Sequence, residues 1–184
     1  MTTRLSLFAL LLVAAVGCGQ AGPRPDAEKP ATPSPAAATG DAAKLEPLVL
    51  AAKPANPITV NEALTKKAGE KVVVTGQVPT EKVKPYNAAL ATFVMLSHAD
   101  MAKDEIKDEF DCDHAATCPT CKAILDEHAV RVELVDATGA PVAATLEGFR
   151  GLKPGSTITV EGEVRREGKD NKLVRVVATR FYPG

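Results

Sequence analysis

Past residue 57 the chain repeats one signature. Short runs place β-branched or aliphatic residues at every second position, and Gly, Pro, Asp or Asn separate them. Lys71 to Val78 (KVVVTGQV) is bounded by Gly69 and Pro79 and predicts a first strand. Ala91 to Ser97 (ATFVMLS) predicts a second. In the third, His128 to Leu134, Val130, Val132 and Leu134 alternate with Arg131 and Glu133, the period of a half-buried strand. It ends in the turn residues Asp136 to Gly139. Ser156 to Arg166 (STITVEGEVRR) alternates again, Glu167 to Lys172 reads as a hairpin loop, and Leu173 to Tyr182 (LVRVVATRFY) is the fifth strand. Pro141 to Gly155 is poorly patterned, with a turn at Leu152 to Gly155. Two stretches carry helical spacing instead. Pro57 to Lys71 reads as a short helix with capping-box partners Thr59 and Glu62, and Gly69 stops it. Ser97 to Phe110 sets Ala102, Ile106 and Phe110 on one face, with Ser97 and Asp100 as a cap. Its charged residues Asp100, Lys103, Asp104, Lys107 and Asp108 read as a solvated face.

The first and fourth strands share a pattern. Val72-x-Val74-x-Gly76-x-Val78 matches Ile158-x-Val160-x-Gly162-x-Val164. A glycine inside a strand marks a bulge or tight bend, and small barrels need such bends where one strand serves both sides. Two glycine-bent strands, five strands in all and a long insertion between the second and third resemble the OB-fold, over Lys71 to Tyr182. The nearest likeness is to the OB-like domains of bacterial envelope lipoproteins, whose function is unassigned. The resemblance implies a mainly β domain: a small five-stranded OB-like barrel with a short N-terminal helix and a helical, cysteine-bearing insertion.

The start of the chain changes the picture. Arg4 precedes an apolar run from Leu5 to Val16 that is too short to span a bilayer, which takes about 20 residues. That is the form of an export signal, residues 1–17. Ala15-Val16-Gly17-Cys18 resembles the lipobox of bacterial lipoproteins. The resemblance implies cleavage before Cys18 and a lipid anchor on its sulfur, stable when two or more acyl chains are attached. Gly19 stands where an aspartate would signal inner-membrane retention, which favours the outer membrane in a diderm cell. Residues 18–56 are rich in Pro and Ala and poor in large apolar residues, the composition of an extended tether. Only Leu45 to Ala52 (LEPLVLAA) offers anything to dock. The expected organisation is thus a signal peptide (1–17), a lipidated tether (18–56) and one domain (57–184), held extracytoplasmically at the cell envelope.

Charge and aromatics limit the partners. The chain has 22 Lys and Arg against 23 Asp and Glu, net −1, with no Trp. Neither phosphate neutralisation nor base stacking has much to draw on, so a single-stranded nucleic acid is disfavoured. An oligosaccharide, a small ligand or a protein of the envelope remains open for the barrel face.

Reactive side chains are concentrated between Cys112 and His128. With Cys18 assigned to lipid, Cys112, Cys118 and Cys121 are left. One disulfide, Cys118–Cys121 or Cys112–Cys121, would pin a loop poor in apolar residues at about 2–3 kcal/mol by chain entropy, and would leave one thiol over. A metal would use all three: Cys112, His114, Cys118 and Cys121 match the count of a closed tetrahedral zinc site, with His98 or His128 as alternates for the imidazole. Met95, His98 and Met101 offer softer ligands suited to copper(I). CPTC at the start of KAILDE also resembles the turn of thioredoxin-type oxidoreductases. That resemblance implies Cys118 as nucleophile and Cys121 as resolving thiol, but the surrounding βαβ order and a preceding Trp are missing. The reading is a non-catalytic binding or assembly module with a disulfide- or metal-stapled loop; the alternative is thiol–disulfide exchange or metal handling.

Overall fold

The computed structural model describes residues 40–110, 112–168 and 170–184. The expected export signal, Cys18 and most of the expected tether lie outside these residues. Among them, no helix is long and apolar enough to cross a membrane.

The protein is mainly sheet. Its elements are α1 (Gly40–Leu45), a 3-10 turn (Glu46–Leu48), β1 (Ile58–Thr59), α2 (Val60–Leu64), β2 (Lys71–Gln77), β3 (Thr92–Leu96), α3 (His98–Met101), α4 (Asp104–Phe110), α5 (Pro119–His128), β4 (Ala129–Leu134), β5 (Thr157–Glu167) and β6 (Leu173–Pro183). The five expected strands are β2 to β6. A sixth, the two-residue β1, pairs parallel with β2. The sheet order is β1-β2-β3-β4-β6-β5, and β2 also pairs with β5. The strands therefore turn back on themselves as a partial ring. It is thinnest between β2 and β3, which share the pair Gln77 and Leu96. All neighbours are antiparallel except β1–β2 and β4–β6.

Alternation puts the apolar residues inside the ring. Val72, Val74, Phe93, Met95, Val130, Val132, Leu134, Ile158, Val160, Val176, Ala178 and Phe181 form one buried cluster with others. The two strand glycines are required by close approach. A Cβ on Gly76 would lie 2.7 Å from Val60 Cγ2, and one on Gly162 would overlap the Val177 carbonyl. At Gly162 the β5–β6 register shifts, the bulge that bends the strand. The capping box of α2 forms as expected: Thr59 Oγ1 accepts from Glu62 N at 3.2 Å, and Glu62 Oε2 accepts from Thr59 N at 2.7 Å.

Two expectations are revised. Residues 40–56 are not all tether: Leu45 and Leu48 are buried in the main cluster, and Leu50 N donates to Phe181 O at 2.8 Å. Two buried leucines, that backbone bond and ties through Asp41 and Lys44 anchor a segment whose average composition is that of a linker. The helix expected over Ser97 to Phe110 is two, α3 and α4, with Ala102 exposed between them. Asp100, expected in solvent, is 1% exposed. It accepts from Ser97 Oγ at 2.8 Å and from Lys103 Nζ at 2.6 Å, and these bonds close the first short helix.

Candidate metal centre

The insertion between β3 and β4 brings its own small core. Ile106 and Phe110 of α4 are buried with Val83, Leu96, Ala115, Cys121 and Ala129, and Cys112 and Cys118 pack at its margin. Thr80 Oγ1 donates to Phe110 O at 3.2 Å and ties the end of α4 to the sheet side. The chain from Cys112 then winds through tight turns. Ala115 N donates to Cys112 O at 3.1 Å, and Cys118 N donates to His114 O at 2.8 Å. Buried Ala115 fixes the turn against the cluster.

Cys118 is the N-cap of α5 in an extended conformation, and Pro119 follows inside the first turn. Proline there has its φ already helical and no N–H to leave unpaired. This arrangement returns Cys121 to face Cys118 one turn on. The sulfurs of Cys112, Cys118 and Cys121 all lie within 4.8 Å of one another. Cys112 and Cys121 are 3.5 Å apart. The Cys121 thiol donates to Glu109 O at 3.1 Å and lies 4.0 Å from Glu109 Oε2.

The three thiols are unequal. Cys112 and Cys118 are half-buried, and Cys121 is fully buried. The Cys121 backbone N–H, then its thiol, hold the Cys118 thiol below the usual cysteine value, with smaller help from Thr120. Burial pushes the Cys121 thiol up to about 12, and the neighbouring Cys118 and Cys112 add to this.

The expected imidazoles do not join them. His114 is exposed and lends only its carbonyl. His98 Nδ1 meets Gln77 Oε1 at 3.3 Å, and His128 Nδ1 lies 3.9 Å from Asp100 Oδ2. Met95 belongs to the main core and Met101 to the insertion's cluster, so they do not frame one copper site with His98. Helix α5 leads into β4, the antiparallel partner of β3, so β3, α5 and β4 do not form a βαβ unit.

The donor set fits a thiophilic ion. Zn–S bonds of about 2.3 Å at tetrahedral angles set sulfurs about 3.8 Å apart. The cluster needs at most about 1 Å of closure, and two of its three cysteines, Cys112 and Cys118, are only half-buried. Three cysteines thus stand together in a position that could bind a metal ion.

No protein family, curated protein or solved structure matches the chain.

Proposed function

We propose that this protein is a lipid-anchored, extracytoplasmic binding or assembly module of the cell envelope, non-catalytic, whose insertion is stapled by one zinc-class ion on Cys112, Cys118 and Cys121. The observation that carries the staple is the convergence of three sulfurs within 4.8 Å over a core of few apolar residues. A metal uses every thiol of that cluster, where a single disulfide leaves one over. The OB-like reading draws support from the β2-β3-β4-β6-β5 order with β2 returning to β5, and from the parallel β4–β6 pair. The envelope location rests on the sequence from Arg4 to Cys18. Phe93, Phe110 and Phe181 are fully buried, which leaves few rings for stacking bases and favours a protein or small ligand over a nucleic acid.

The test is isolation of the protein from its own cells, followed by metal analysis and intact mass with and without alkylation. The reading expects membrane-bound, acylated protein with about one zinc-class ion per chain, as for a structural site. Metal-free protein two mass units light has a disulfide instead, and protein recovered unacylated from the cell interior refutes the anchor. The second reading is thiol–disulfide exchange, favoured by half-exposed Cys118 at a helix N-terminus with buried Cys121 behind it. It predicts insulin reduction that Cys118→Ser abolishes.

A further inference from the structure

Glu109 stands in the last turn of α4, half-buried, three residues before Cys112. Glu109-x2-Cys112 repeats the spacing of Cys118-x2-Cys121. One pair lies at the end of α4, the other at the start of α5, and the two meet at Cys121. Both the carbonyl and the carboxylate of Glu109 approach its sulfur, at 3.1 and 4.0 Å. In the metal-free protein the Cys121 S–H faces both oxygens; in a thiolate centre the sulfur and the carboxylate would stand side by side as two negative groups and call for a cation between them. Two lysines near the loop are engaged with other acids: Lys82 with Asp113 at 3.3 Å, and Lys122 with Asp126 at 2.6 Å. A divalent ion between the thiolates and the carboxylate reverses the sign of the interaction.

We propose that Glu109 is the fourth protein ligand of the centre, completing a three-thiolate, one-carboxylate set that favours a borderline divalent cation such as zinc over copper(I). This inference rests on the metal reading of the three thiols. In a tetrahedral site with Zn–S near 2.3 Å and Zn–O near 2.1 Å, sulfur and oxygen stand about 3.6 Å apart. The Glu109 carboxylate is less than half an ångström too far from Cys121, and, standing outside the group whose atoms all lie within 4.8 Å, it must swing by more than about 1 Å toward at least one of the other two sulfurs, a movement that a glutamate side chain supplies by rotation. His114, the imidazole that the sequence offers, is exposed outside the cluster. Copper(I) prefers soft ligands and gains little from an oxygen donor, whereas zinc accepts carboxylate oxygen alongside thiolate.

The test uses the full chain carrying Cys18→Ser, reduced and stripped of metal, titrated with Co2+, Zn2+ and Cu(I). Glu109→Gln keeps the shape of the side chain and removes its charge. It is expected to weaken Co2+ and Zn2+ binding by at least about tenfold, to shift the visible bands of bound Co2+, and to leave Cu(I) binding unchanged. Glu109→Asp should fall between, and His114→Ala should behave as the parent. Parent-like Co2+ and Zn2+ binding by Glu109→Gln, or its loss in His114→Ala, overturns the assignment. Cys118→Ser separates the two levels of the argument. If it abolishes binding while Glu109→Gln does not, the thiol centre stands without Glu109. A parent protein that takes up no ion removes both.

Discussion

Leu45 decides where the folded part of the chain begins. Its side chain is fully buried in the main cluster. The segment around it is tied down at several points: Lys44 Nζ donates to Ala143 O at 2.6 Å, Thr145 N donates to Asp41 Oδ2 at 3.4 Å, and Val49 bridges to Phe181. Leu45→Ala removes buried carbon at a site lined by the sheet. Leu→Ala in a core costs about 2–5 kcal/mol, and we expect about 3 because Leu48 alongside can partly fill the space. At about 2–4 °C per kcal/mol for a domain of this size, Tm falls by roughly 6–12 °C. Urea unfolding should show a lower midpoint at an unchanged slope. Pro47→Ala, an exposed position in the same turn, is the control and should stay within about 0.5 kcal/mol of the parent. A Leu45→Ala protein as stable as that control refutes the docking and returns residues 40–56 to the tether.

Gly162→Ala forces a methyl group into the Val177 carbonyl at the β5 bulge, so urea unfolding should show a loss of about 1–3 kcal/mol. Asp100→Ala strips Ser97 and Lys103 of their shared buried acceptor and should cost about 1–3 kcal/mol in the same assay. Burial pushes the Asp100 carboxyl up, but hydrogen bonds from Lys103, Ser97 and Asn61 together outweigh it and hold it below the usual value. Its stabilisation is therefore present above the ordinary aspartate pKa and lost as pH falls through the lower folded value; the variant lacks that acid limb. Cys121 works in the opposite direction. Its thiol is raised to about 12, while an unfolded cysteine titrates near 8.5. Reduced, metal-free protein should keep this contribution below about pH 8.5 and lose it as pH rises towards 12. Ion binding to the centre should release protons and tighten with pH. Unfolding curves from pH 7 to 11 check the first, and a profile without decline contradicts the burial of Cys121.

The strands were legible because each has one wet and one dry face, so Val130, Val132 and Leu134 announce themselves against Arg131 and Glu133. Gly76 and Gly162 were legible for a related reason: a missing side chain inside an alternating run needs a cause, and here it is backbone crowding. The connection from Pro141 to Gly155 hid its contribution. Val142, Ala144, Leu146 and Leu152 are all buried, yet the segment meets the sheet through one isolated bridge, Val135 with Pro141, and scattered backbone bonds at Val142 and Gly155, and so has no period to read. Leu45 and Leu48 stood out as the one apolar stretch among prolines and alanines, but without a period that could say what they dock against. At the centre the three cysteines were visible from residue type and spacing. The imidazole was not settled by spacing, because whether His114 turns inward depends on how Ala115 packs. Glu109 carries no signal in the helical spacing; what sets it apart in the sequence is its x2 distance from Cys112.

The docked N-terminal segment also sets the length of the leash. If Cys18 holds the lipid, only residues 19–39 separate the membrane surface from the first anchored turn at Gly40. Covalent geometry limits their full stretch to roughly 70 Å, against about 130 Å if the free chain ran to residue 56. On that anchoring, the point where the folded domain is attached, at Gly40, stays within that shorter radius of the bilayer.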